Sequence, residues 1–188
     1  MEAAMVAGML QHPGLLLLLA LIVCASVVLG GAPSGTAGRL SRWRLLRGYV
    51  GALVVGLAMA AASSYVTREE AVTVWHVPAA NYREVVTREF VNTATLLIWF
   101  AAVGISVVGI PVVLALVRRG FGTVPWVLLA SAAISIVSLA AFALVFMLPA
   151  HTDIPVLRLV LFFIGSHLAL SLGFCVGANL PWTSTRRI

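Results

Sequence analysis

The side chains in this sequence best suited to hold a metal or move a proton are four histidines and two cysteines. His12, His76 and His151, with Asp153 two residues after the last, are donors of the kind that bind copper or zinc. No two of these histidines stand at ligand spacing along the chain, so such a site depends on the fold bringing them together. Cys24 and Cys175 sit in different apolar stretches, at depths about 12 Å apart for helices rising ~1.5 Å per residue. No disulfide is expected between them, and both read as small apolar residues. The chain has no GxGxxG, P-loop, HExxH, GxSxG or CxxC, and the sequence points to no particular cofactor.

His167 stands apart, because it is the midpoint of a long apolar stretch. An ionisable residue at mid-membrane depth is costly and normally faces a bundle interior or a cavity. No apolar stretch supplies a carboxylate to hold its charged form. Ser171, Cys175 and Asn179 follow at i+4, i+8 and i+12, which continues a weakly polar stripe from His167. Gly165 lies about 200° around the helix from His167. That places small residues on nearly the opposite face, so the helix is expected to be covered on both sides. The simplest role for His167 is one interhelical hydrogen bond, with Ser106 or Ser135 as the expected partner. The functional alternative, resting on His167 and Ser171, is a proton relay or a ligand contact.

The elements that must position these residues follow from composition. Of 188 residues, 62% are apolar and 10% charged, and the mean hydropathy is +1.09. Exposed apolar area costs about 25 cal/mol per Å² in water, so a soluble enzyme, a disordered tail and a secreted disulfide scaffold are all excluded. The fold expected is an all-α membrane protein, a bundle of five transmembrane helices in one polytopic domain covering residues 1–188. The spans are Leu15–Ala32, Gly48–Val66, Thr93–Val117, Val124–Leu148 and Val156–Ala178, together 110 residues without Asp, Glu or Lys. Each approaches or exceeds the ~20 residues that cross a bilayer. A cleaved signal peptide is disfavoured at the start, since Met1–Gly14 carries Glu2 and no basic residue.

The net charge is +6, and all twelve basic residues are arginine, a usage that suggests a GC-rich bacterial source. Alternate loops at Arg39–Arg47, Arg118–Arg119 and Arg186–Arg187 hold eight of them and no acid. The opposite loops hold Arg68, Arg83, Arg88, Arg158 and all six acids. By the positive-inside rule the N-terminus is outside and the C-terminus inside, in a bacterial cytoplasmic (inner) membrane. His12, His76 and His151 then share the outer side. Tyr49, Tyr65, Trp126 and Trp182 fall at span ends, as an interfacial belt does. Residues 33–38 read as a short linker, and the segment after it, with arginines and leucines interleaved, as a strip lying on headgroups. Nucleic acid is not an expected partner.

The outer loop, Thr67–Asn92, is the one sizeable piece outside the spans. Ala71–Val77 reads as extended, and Pro78 ends any helix before it. Asn81 and Glu84 fit a capping box. Tyr82, Val85, Val86 and Phe90 then mark one face of a short amphipathic outer-surface helix before the third span, with Glu84 and Arg88 paired on another. Pro111, after Gly109, is expected to kink the third span.

Small residues recur every fourth position in two spans: Gly48, Ala52, Gly56, Ala60 and Ser64, then Gly165, Ala169, Gly173 and Gly177. Such stripes let helix backbones approach closely. They suit packing within one bundle or a face for another subunit. The leading functional expectation is a non-catalytic subunit or accessory factor of a membrane complex, assembled with other membrane subunits or as a homo-oligomer in the lipid bilayer. One alternative is a small transporter or proton-conducting protein using His167. The other is a metal- or haem-binding membrane redox protein using His12, His76 and His151. An enzyme is the less favoured reading.

Overall fold

The computed structural model of this protein describes residues 13–31, 40–73, 76, 78–142 and 156–183. His12, Arg39, His151, Asp153, the 33–38 linker, the end of the fourth expected span and the last two arginines lie outside them. Within them the chain is helical and forms no β-strand. There are five helical rods. Helix α1 is Pro13–Gly30 and α2 is Arg42–Thr73. A 3-10 turn at Ala79–Asn81 leads into α3, Tyr82–Trp99, which continues as a π-helical segment, Phe100–Gly109, and as α4, Ile110–Arg118. Helices α5, Val124–Phe142, and α6, Val156–Gly177, complete the series. Among the described residues three stretches are long and apolar enough to cross a membrane: Arg42–Glu70, Ala79–Arg118 and Val160–Gly177. Leu17, Leu29, Val137 and Val176 are among the many large apolar side chains left exposed on the rods, a surface suited to lipid.

Helix α2 is the axis of the bundle. It packs along α6 on one side and along α3 on another. Both neighbours run antiparallel to it: Gly48 meets Phe174 while Gly56 meets Leu170, and Gly56 meets Leu97 while Ser63 bonds Glu89. Helix α5 packs antiparallel on α6, and α1 packs against the π-helical segment. At one end the turn between α4 and α5 closes through Gly120, whose φ of +81° favours a residue without a side chain. Its amide donates to Val117 O, and that of Phe121 to Leu116 O, the pair of bonds that ends a helix in a Schellman turn. Asn179, φ +53°, ends α6 in the same way.

Several local expectations are corrected. Helix α2 begins six residues before the expected span and runs on through Thr73, so Ala71–Thr73 is helical rather than extended. Nothing between Val66 and Thr73 breaks a helix, and Pro78 lies beyond its end. Asn81 makes no side-chain capping bond, because it stands inside the 3-10 turn with helical backbone angles. Glu84 and Arg88 are exposed and form no ion pair. In the third rod the irregularity in the helix ladder precedes Pro111. A proline inside an α-helix removes one backbone bond and clashes with the carbonyl four residues back. Here the ladder widens upstream, with the Ile110 amide reaching Ile105 O, and Pro111 falls in the first turn of α4, where its missing N–H is not needed.

Candidate functional site

A cavity of about 500 Å³ lies between Phe100–Gly109, α5 and α6. Its lining is largely apolar, with Ser131 and Ser138 from α5 and His167 and Ser171 from α6 as the polar exceptions. Gly104 lines it from the π-helical side, and a methyl group built there meets nothing within 4 Å.

His167 is half-buried in an aromatic corner. Its ring centre is 4.5 Å from that of Phe163 and 5.2 Å from that of Phe100, at tilts of 39° and 48°. The expected partners, Ser106 and Ser135, are not its partners. The Nδ1–H of His167 donates to Phe163 O at 2.9 Å, one turn back along its own helix. A carbonyl oxygen can only accept, so Nδ1 carries the proton. Ser135 donates to Ser131 O, within α5. Ser131 Oγ donates to the backbone carbonyl of His167 at 3.3 Å and lies 2.7 Å from Ser171 Oγ. The α5–α6 contact is therefore tied by two serines beside the histidine. No serine oxygen bonds an imidazole nitrogen, so the site holds no assembled nucleophile–base pair.

Ser106 belongs to a second polar centre that its sequence context does not reveal. Tyr49 Oη lies 2.6 Å from Ser106 Oγ and 2.7 Å from Ser26 Oγ, joining α1, α2 and the π-helical segment. Ser26 also donates to Val23 O, and Ser106 to Ala102 O, so every hydroxyl in the group has a partner. Tyr49 is 3% exposed, which corrects its assignment to an interfacial belt. Tyr65, Trp126 and Trp182 are exposed. A third polar group lies between α2 and α3, where Ser63 and Thr93 both donate to Glu89 Oε1.

The small-residue positions divide. Gly48, Ala52, Gly56, Ala60 and Ser64 are all buried along α2. Gly173 and Gly177 press on the α2 backbone at Gly51 and Arg47, and Ala169 is half-buried. Gly165 departs from the expected packing face: it is exposed, and a methyl group there meets nothing within 4 Å. Among the metal candidates, His76 is exposed with φ +51°, while His12 and His151 lie outside the described residues. Among the described residues no group of three or more histidine, cysteine or acidic side chains converges. Cys24 is exposed and Cys175 buried, and neither is in a disulfide. Compared with protein-family models, curated proteins and solved structures, the chain matches none.

Proposed function

We propose that this chain is a non-catalytic component of a bacterial cytoplasmic membrane, a subunit or accessory factor, that works by binding a lipid-soluble molecule within the bilayer. The observation that carries this reading is the cavity of about 500 Å³ beside His167. Its size falls in the ~300–1,000 Å³ range of small-molecule sites, and such sites are mainly apolar with a few placed polar groups. The polar groups around Tyr49 and Glu89 are bonded among themselves. The cavity is where unfilled volume and polar side chains coincide.

The reading places five spans in the membrane with the N-terminus outside and the C-terminus inside. Reporter fusions after Arg47, Gly120 and Ile188 are expected to read cytoplasmic, and fusions near Ala79 and Thr152 external. An external C-terminus would overturn the five-span topology.

Purification in mild detergent tests the function itself. The expected preparation contains a stoichiometric membrane partner, a lipid-soluble molecule recovered by solvent extraction, or both. A Gly104→Trp variant, with indole in the cavity, is expected to lose the extracted molecule and keep any protein partner. Stoichiometric copper, zinc or haem in the purified protein would replace this reading with that of a redox protein.

A further inference from the structure

The hydrogen bonding of His167 goes further than the presence of a cavity and specifies what the cavity selects. This inference rests on the reading of the cavity as a ligand site. With Nδ1–H engaged by Phe163 O, Nε2 is the ring nitrogen left for a further hydrogen bond, and in the uncharged tautomer it carries the lone pair. Among the described residues Nε2 makes no hydrogen bond, and it is not sealed from its surroundings, since the Asn92 amide oxygen is the buried side-chain polar atom left without a partner there. The polar atom that His167 has left to offer the cavity is thus an acceptor. It cannot donate unless the ring takes a second proton, and neither a carboxylate nor an arginine lines the cavity.

The ring is also held in place. The Phe163 carbonyl fixes one edge, and Phe100 and Phe163 lie against its faces. Trp99 and Phe174 also line the cavity, so aromatic surfaces form part of its wall. Flat rings pack on such surfaces in offset or tilted geometry, more favourably than flexible chains do. Apart from Ser131, Ser138 and Ser171, the remaining walls are largely aliphatic, as at Val103, Val108 and Ile134, and suit a hydrocarbon tail.

We infer that the cavity binds an uncharged, lipid-soluble phenol: a planar aromatic head whose hydroxyl donates to His167 Nε2, carried on an apolar tail. A site built to accept a hydrogen bond discriminates against the same molecule with its donor blocked, because the bound ligand then covers the acceptor and leaves it unpaired.

The test compares para-decylphenol with its methyl ether, para-decylanisole, by calorimetric titration of the full-length protein in detergent. The two probes share ring and tail and differ in the donor. The expected result is that the phenol binds about tenfold more tightly than the ether, the scale of one buried hydrogen bond. In His167→Leu the two are expected to bind within about twofold of each other, at the affinity of the ether for the wild type. Equal binding of both probes to the wild-type protein would overturn the donor selection while leaving the cavity a ligand site. Should neither probe bind, or should both bind Gly104→Trp as well as wild type, the cavity is not a ligand site and the functional reading falls with the inference. The wild-type comparison stands alone if His167→Leu fails to fold.

Discussion

Gly51→Ala and Gly177→Ala are each expected to destabilise the protein by about 3 kcal/mol, at the upper end of the usual cost of overpacking. The reason is what a single added methyl group meets. At Gly51 it falls 2.2 Å from Gly173 O, and at Gly177 it falls 2.2 Å from Arg47 O. At Gly173 it falls 2.7 Å from Gly51 O. These are backbone atoms of the opposite helix, so no side chain can rotate away and the two rods must separate. Separation loosens the seam from Gly48 to Gly56, where α2 packs along α6. Gly173→Leu is expected to prevent folding altogether. Gly165→Leu is the control: with nothing within 4 Å of its added carbon, it should change stability by less than about 0.5 kcal/mol. The measurement is thermal unfolding in detergent, with size-exclusion profiles to separate unfolding from loss of a partner. If Gly177→Leu stays folded and only its oligomeric state changes, the seam lies between chains and not within one.

How much of this was legible in the sequence depends on the period of each signal. Helical rods were legible, because long apolar stretches without acids leave few alternatives. The small-residue stripe of α2 was legible too, though its geometry was not. Positions four apart advance about 40° around a helix beyond a full turn, so a stripe drifts. Over Gly48 to Ser64 the drift carries the stripe from the α6 side of α2 toward the α3 side, and because α2 is central every member stays buried. Over Gly165 to Gly177 the same drift is about 120°, and α6 has α2 along only part of its surface, so Gly165 turns away from the seam. Gly51, at the tightest approach, was not singled out because it lies outside the stripe.

The candidate site was half legible. His167 stood out by its depth in an apolar stretch, but its partner did not, since a bond to its own helix leaves no trace in spacing. Tyr49 was misplaced for a simple reason. Its position at the end of an apolar stretch does not show which way the ring points, and the ring turns inward between α1 and the π-helical segment, where it meets Ser26 and Ser106. The cavity itself had no direct signal. Part of its wall is the ten-residue π-helical segment, whose only forewarning was Gly109 with Pro111 just beyond it.

Arg44→Ala is expected to cost about 2 kcal/mol, although this arginine belongs to the strip that composition alone assigned to lipid headgroups. Helix α6 ends in a turn whose amides, those of Asn179 and Leu180, reach back to Val176 O and Cys175 O. That arrangement leaves the carbonyls of Ala178 and Asn179 pointing past the helix end. Arg44 covers both: its Nε–H donates to Ala178 O at 2.8 Å, and its Nη2 donates to Asn179 O. Hydrogen bonds from a charged donor contribute about 1.5–3 kcal/mol, and a cation at a helix C-terminus adds ~0.3–1 kcal/mol. Partial exposure of the guanidinium lowers the total toward the bottom of that sum. Arg44→Lys should recover less than half, because an ammonium keeps the charge but cannot fork to two carbonyls. Arg42 and Arg47 are exposed in the same strip, and their alanine variants are expected to change stability by less than about 0.5 kcal/mol. Thermal unfolding in detergent ranks the three arginines, and amide exchange at Asn179 and Leu180 localises the effect. Equal losses at Arg42, Arg44 and Arg47 would mean that the strip acts through its summed charge, and that the clamp on the last helix does not hold it.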